Sequence, residues 1–153
     1  MTPQFLRALQ AEIEASPACA QHVHTNDMPK ISGAEALVKD RAIADILNVG
    51  RTRAKAFEIG KGTIVEVLGL AGANAFLDII DGDATYRHVK HLLQDGRLRV
   101  DSALVVQLVQ GFMQAGVISA NGGTALLALG REPDPVTAAE VSRAVRGPWG
   151  DEE

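Results

Sequence analysis

The four histidines come in two close pairs, His22 with His24 and His88 with His91. His88 and His91 are three residues apart, so on a helix both could face one metal ion, with Cys19 or the first pair supplying a further ligand. A zinc site would require a loop and a helix to converge, and the spacing lacks a closed four-ligand pattern. Arg87 and Lys90 flank the second pair and indicate a solvated helix face. We therefore expect no metal and no other cofactor.

Three carboxylates cluster at one predicted helix end, at Asp78, Asp81 and Asp83. They lack the twelve-residue spacing and the terminal glutamate of a calcium-binding loop. A helix stop at Gly82, followed by Asp83 as the cap of the next helix, explains the cluster without a metal ion.

Residues 59–63 (IGKGT) have the composition of a phosphate-binding loop, because glycines and a lysine precede a threonine that opens a helix. They lack the order of the nucleotide-binding P-loop and the buried strand that precedes it. The spacing of Thr63 and Glu66 instead predicts a tight turn into a helix with a capping box. No Ser/His/Asp or Cys/His grouping has a local catalytic context. We therefore predict no catalytic residues and no enzymatic activity.

Residues 43–53 (IADILNVGRTR) resemble the core of a helix-turn-helix, in which a basic second helix enters the DNA major groove. Contacts to phosphate would then come from the basic side chains of Arg51, Arg53, Lys55 and Lys61. Against this, Gly50 falls near the start of the second helix, and the apolar period is lost within two turns. The same cations could simply complement the dipole of a helix C-terminus. The pattern leaves residues 51–59 open between strand and helix.

Composition describes an ordinary globular protein of 153 residues, with 46% hydrophobic and 22% charged side chains. A formal net charge of −4 argues against a strongly basic nucleic-acid binder, so nucleic acid is a possible but not a favoured partner. The single cysteine, Cys19, suits a reducing compartment. The uncharged stretch 102–130 is broken by Gln, Asn and paired Gly, so we expect no membrane span.

Capping residues and glycines divide the chain into short helices, which predicts an all-α fold, an irregular bundle of about seven short helices. We expect a single helical domain over residues 1–147, with residues 16–31 as a loop or arm and an acidic flexible tail at 148–153. The predicted helices cover residues 3–15, 32–48, 63–69, 71–81, 84–95, 101–115, 119–129 and 137–147. Among their expected caps are Thr2, which precedes Pro3 at the first helical position, Ser119, and Thr137, which forms a capping-box pattern with Glu140.

The helix at residues 101–115 (DSALVVQLVQGFMQA) is expected to be the centre of the bundle. Asp101 or Ser102 caps its start, and Gly116 provides a left-handed stop. Its wide apolar face indicates a helix mostly surrounded by protein. That face is made by Leu104, Val105, Leu108, Val109, Phe112 and Met113.

A narrow polar stripe runs along the same helix at Gln107, Gln110 and Gln114. Interface cores are depleted in charge, and residues 102–130 carry none, so the stripe is a candidate protein interface. The alternative that the stripe only faces water stays open.

The chain resembles small all-α proteins encoded among the virion and tail-assembly genes of tailed bacteriophages and prophages. Members begin with a short helix like residues 1–19 here. Further matches are residues 48–53 (NVGRTR), 58–64 (EIGKGTI), 68–69 (LG), 116–119 (GVIS), 134–137 (DPVT) and 141–143 (VSR). These motifs carry no catalytic residues. The resemblance implies a non-enzymatic structural or assembly protein of the head-tail or tail region. Its partners would be other virion proteins or copies of itself, in a particle assembled in the host cytoplasm.

Overall fold

The computed structural model describes residues 1–23 and 33–147, and it is predominantly helical. Within those residues eight α-helices are joined by four short strands and one 3₁₀ turn, which confirms the all-α prediction. The chain divides into two compact units, Met1–Thr52 with Pro133–Glu153 and Arg53–Glu132. The sequence pattern predicts one domain and contains no linker-like segment that would indicate this division. The first unit is built from two separated stretches of chain, so its members are not adjacent in sequence.

The first unit contains helices α1 (Pro3–Ala15), α2 (Pro17–Ala20), α3 (Gly33–Asn48) and α8 (Ala138–Arg146). Thr2 caps α1, with Pro3 at the first helical position, as predicted. Thr137 and Glu140 form the predicted capping box of α8, because each side chain accepts a hydrogen bond from the other residue's backbone N–H. The buried core of this unit is Leu6, Leu9, Ile13, Cys19, Ile43, Ala44, Val136, Val141 and Ala144.

Two polar contacts tie α3 to the C-terminal part of this unit. The Asn48 side chain imitates a strand partner, since its Nδ2 donates to Val136 O at 2.9 Å and its Oδ1 accepts from Val136 N at 2.7 Å. Asp40 on α3 is the buried carboxylate among the described residues, and Arg146 of α8 lies 3.5 Å from its Oδ2. A buried carboxylate needs such a partner, because desolvation penalises its charged form.

The second unit begins within strand β1 (Thr52–Ala54), which strand β2 (Glu58–Ile59) follows. It continues through α4 (Lys61–Gly82), the 3₁₀ turn Ala84–Tyr86, α5 (Arg87–Gln94), β3 (Leu98–Arg99), α6 (Ala103–Gln114), α7 (Ala120–Ala128) and β4 (Arg131–Pro133). β2 pairs antiparallel with β3, and β1 pairs with β4. Phe112 of α6 is at the centre of the core, where its ring meets Phe76 and Tyr86 edge-to-face at centroid distances of 5.0 and 5.8 Å.

Helix α4 is not a straight rod. Gly69 has φ 70° and ψ 173°, a conformation that essentially only glycine adopts, and it separates residues 61–68 from 70–82. By length and composition alone α4 could cross a membrane. A straight helix of this length would extend about 33 Å. Lys61 and Asp81 nevertheless lie in contact, so the two segments fold back on each other. The predicted helix end at Gly69 is confirmed.

Two local predictions differ from the structure. Residues 17–20 of the predicted loop form α2, because Pro17 suits a first helical turn and Cys19 is buried. Residues 24–31 of that loop and the tail 148–153 lie outside the described residues. The prediction of a capping box that begins at Thr63 is wrong, because α4 begins at Lys61 and its N-cap is Gly60. Gly60 lies so close to the Gly96 turn that an added Cβ would be 3.2 Å from the Gly96 Cα.

Candidate interaction surface

Helix α6 begins and ends as its sequence predicts. Ser102 is its N-cap, with Oγ accepting a hydrogen bond from Val105 N at 3.3 Å, and Gly116 follows its end with φ 72°. Val105, Val109 and Phe112 are buried, and they orient the helix on the core.

The opposite side of α6 is exposed, which contradicts the expectation of a helix mostly surrounded by protein. Leu104 was predicted to lie on the buried face, but 74% of it is exposed. Gln107, Gln110 and Gln114 are exposed as well, and Gly111 lies among them. We call these five residues the α6 face. The expectation was wrong because only three side chains of this twelve-residue helix, about one per turn, are buried against the core. The other apolar residues are not needed to hold the helix there.

The α6 face carries no charge. Each glutamine amide can donate and accept hydrogen bonds, whereas Leu104 adds exposed apolar area. The neighbouring helix α7 exposes only uncharged residues too: Ala120, Asn121, Thr124, Ala125 and Ala128. The centre of a protein contact is depleted in charged residues, and the exposed sides of α6 and α7 share that property.

Gly111 is the residue of this face that sequence reasoning missed. It lies inside α6, and a Cβ built on it would meet no atom within 4 Å. Glycine in a helix interior costs about 1 kcal/mol relative to alanine, and nothing within this unit requires it. In contrast, Gly123 of α7 is enclosed, because a Cβ there would overlap the Met113 side chain. The available signal was the seven-residue spacing of Leu104 and Gly111, which places both on one line along the helix.

The four basic residues proposed for nucleic-acid contact do not form an open basic surface. Arg51 Nη1 lies 2.5 and 2.6 Å from the two carboxylate oxygens of Glu12. Arg53 pairs with Glu132 at 2.7 Å, and Lys61 with Asp81 at 3.5 Å. Lys55 is exposed. Three of the four cations therefore already face carboxylates.

The helix-turn-helix geometry itself is not formed by residues 43–59. After Gly50 the chain enters β1 and then β2, so no second helix follows α3 within this segment. Gly50 has φ 69°, which ends α3, and Arg51 O then accepts a hydrogen bond from Asp134 N at 3.3 Å. The open question over residues 51–59 is resolved in favour of strand. Tertiary pairing with β4 and β3 decides this, because strands this short are not stable alone.

Within residues 1–23 and 33–147 the histidines and aspartates are not assembled into a site. His88 and His91 are exposed on α5, and the described residues contain no group of three or more His, Cys, Asp or Glu that could hold a metal. His24 lies outside the described residues. Asp83 caps the 3₁₀ turn as predicted, and the hydrogen bond from Thr85 N lowers its carboxyl pKa.

A strong local electrostatic contact precedes α6. Arg99 donates two hydrogen bonds to Asp101, from Nε at 2.7 Å and from Nη2 at 2.5 Å. These bonds, with a further one from Phe57 N, hold the pKa of the Asp101 carboxyl well below its usual range. The same pairing raises the pKa of Arg99. Asp101 thus joins β3 and the segment before β2 to the start of α6, while Ser102 provides the cap.

A shallow open depression of about 320 Å³ lies on α3, lined by Ala34, Glu35, Val38 and Lys39. All four residues belong to one helix, so its walls do not converge as those of a ligand pocket do. No protein-family model, curated protein or solved structure matches this chain. The resemblance to bacteriophage proteins therefore stays a prediction.

Proposed function

We propose that this protein is a non-enzymatic structural or assembly protein that acts through contacts with other protein molecules. The observation that carries the proposal is the α6 face, where an exposed leucine, three glutamines and a glycine form an uncharged surface. The solvent side of a helix normally carries charged or polar residues, whereas this side has no charged residue and includes a leucine that is 74% exposed. Gly111 adds a stability cost that the isolated fold does not need.

The proposed setting is the head-tail or tail region of a tailed bacteriophage particle, assembled in the host cytoplasm. This part of the proposal rests on the sequence resemblance. A repeated protein contact through an uncharged helix face is compatible with such an assembly, since copies meeting across it bring no like charges together.

The test is quantitative mass spectrometry of gradient-purified particles and of assembly intermediates from the induced lysate. Enrichment in particles, at a fixed ratio to another virion protein, supports the structural role. Enrichment in assembly intermediates only supports the assembly role. If the abundance of this protein falls from the lysate to both purified fractions as much as that of a soluble host protein, the proposal is contradicted.

A further inference from the structure

We infer that the second unit is a folding unit inserted into the first, and that the first unit unfolds while the second stays folded. This conformational property goes beyond the proposed function and does not depend on it. The chain passes from the first unit to the second within β1 and returns within β4, and these two strands pair with each other. The joint is therefore the strand pair formed by Thr52–Ala54 and Arg131–Pro133.

The two ends of the second unit are held together by residues of that unit. Lys55 N donates a hydrogen bond to Gly130 O at 2.8 Å. Arg53 Nε lies 2.7 Å from Glu132 Oε1. A domain can be inserted into another chain where its two ends lie close together, and residues 53–132 meet that condition.

The first unit closes the joint on its own side. Asp134 N donates a hydrogen bond to Arg51 O at 3.3 Å. The Asn48 side chain makes its two hydrogen bonds with the backbone of Val136. The two stretches of the first unit are thus connected directly, one on each side of the inserted residues.

Each unit has a core of its own. The buried apolar side chains of the second unit lie between Ile59 and Leu126 in the sequence. Those of the first unit lie between Leu6 and Ala44 and between Val136 and Ala144. Among the described residues, no side chain belongs to both cores. A segment with a separate core can open locally without exposing the core of the rest of the chain.

The first unit has the weaker core. Cys19, Ala44 and Ala144 are small members of it, and its buried side chains, within the described residues, include no aromatic ring. The core of the second unit is larger and contains the rings of Phe76 and Phe112 in contact. Because stabilisation increases with the apolar area removed from water, the first unit should open first.

Chain connectivity acts in the same direction. The second unit is one continuous stretch, whereas the first unit must bring two separated stretches together. When the second unit is folded, its paired ends hold these stretches close. When it is unfolded, the first unit must close a long loop, which costs conformational entropy. The first unit therefore depends on the second, and the α6 face remains on a folded unit when the first unit opens.

Urea unfolding of the full chain tests the order of the two events. At each urea concentration a short pulse of hydrogen–deuterium exchange, followed by digestion and mass spectrometry, identifies the backbone amides that are still protected. Peptides from α3 and α8 should lose protection at a lower urea concentration than peptides from α4 and α6. A second unit that loses protection before the first overturns the inference.

Two matched substitutions test whether the units unfold separately. Ile43→Val and Ile80→Val remove one methyl group each from a fully buried side chain, in the first and the second unit respectively. Ile43→Val should lower the urea midpoint of the first unit by roughly 0.3–1 M and leave that of the second unchanged. Ile80→Val should do the reverse. A single midpoint that both substitutions lower together overturns the inference.

Asn48→Ala tests the one-sided dependence at the joint itself. The substitution removes the two hydrogen bonds to Val136, so the first unit should lose protection at a lower urea concentration than in wild type. The midpoint of the second unit should not move, because its ends are held by its own residues. A midpoint of the second unit that falls as much as that of the first would mean that the second unit needs the first, which contradicts the inference.

Discussion

Lys61 Nζ lies 3.5 Å from Asp81 Oδ2, although the two residues are near opposite ends of the same helical segment, α4. Twenty residues of straight helix would separate their backbones by about 30 Å. Both side chains are partly exposed, and exposed ion pairs contribute only about 0–1 kcal/mol. The ion pair is therefore a consequence of how α4 folds and not its cause. Burial of Ile64, Ala73, Phe76 and Ile80 provides the larger stabilisation, and Gly69 makes the reversal possible.

Replacement of Gly69 should destabilise the second unit. At φ 70° and ψ 173° an L side chain is strained, so Gly69→Ala should lower the free energy of unfolding by about 1–3 kcal/mol. Urea denaturation followed by circular dichroism measures it. Gly62→Ala is the control, because Gly62 lies in the first turn of α4 with open space around its Cβ position. That change should be neutral or stabilising. If both variants lost the same free energy of unfolding, the positive φ of Gly69 would not be the cause of the loss.

Asn48 should contribute more than its partly buried surface position suggests. Asn48→Ala removes two hydrogen bonds to Val136 and should cost about 1–3 kcal/mol. Asn48→Asp keeps the acceptor for Val136 N but places a carboxylate oxygen against Val136 O, so it should be no better than alanine. Thermal unfolding of both variants measures the effect. A wild-type Tm for Asn48→Asp would mean that the amide does not hold Val136 in solution.

Asp101 should make folding stability sensitive to acid. Its folded-state pKa is depressed by Arg99, so its contribution is present above the unfolded-state pKa of about 3.9. The contribution is lost as pH falls through the lower, folded-state value. Asp101→Asn should lower stability at pH 7 and weaken the fall in stability below about pH 4. Urea midpoints between neutral and acidic pH test this, with Asp78→Asn on the exposed side of α4 as the control. Parallel pH profiles for wild type and Asp101→Asn would contradict the expectation.

Arg51 should stabilise the first unit instead of binding DNA. Arg51→Gln breaks the contact with Glu12 and the longer one with Asp134 at 3.8 Å, so we expect a lower Tm. Retention on duplex DNA at low salt should be weak for wild type and unchanged by the substitution. Lys55→Gln, which changes an exposed cation, is the control for DNA binding. Tight wild-type binding that weakens steeply with salt and is lost in Lys55→Gln would instead favour the nucleic-acid alternative.

The sequence by itself determined where most helices begin and end. Thr2, Asp83, Ser102, Ser119 and Thr137 all cap the helices or turns that their types predicted. These signals are readable because a cap depends on a few neighbouring residues and on backbone conformations such as the positive φ of Gly69 and Gly116.

Tertiary structure decided which segments between the helix caps became strands and which side of each helix became exposed. Residues 52–54 and 58–59 became strands because distant segments pair with them, and no local pattern specifies that pairing. Leu104 became exposed because the core is filled by Val105, Val109 and Phe112, although leucine alone would suggest burial. The α6 face could be found only in the folded chain, since exposure depends on which side of a helix the rest of the protein leaves uncovered.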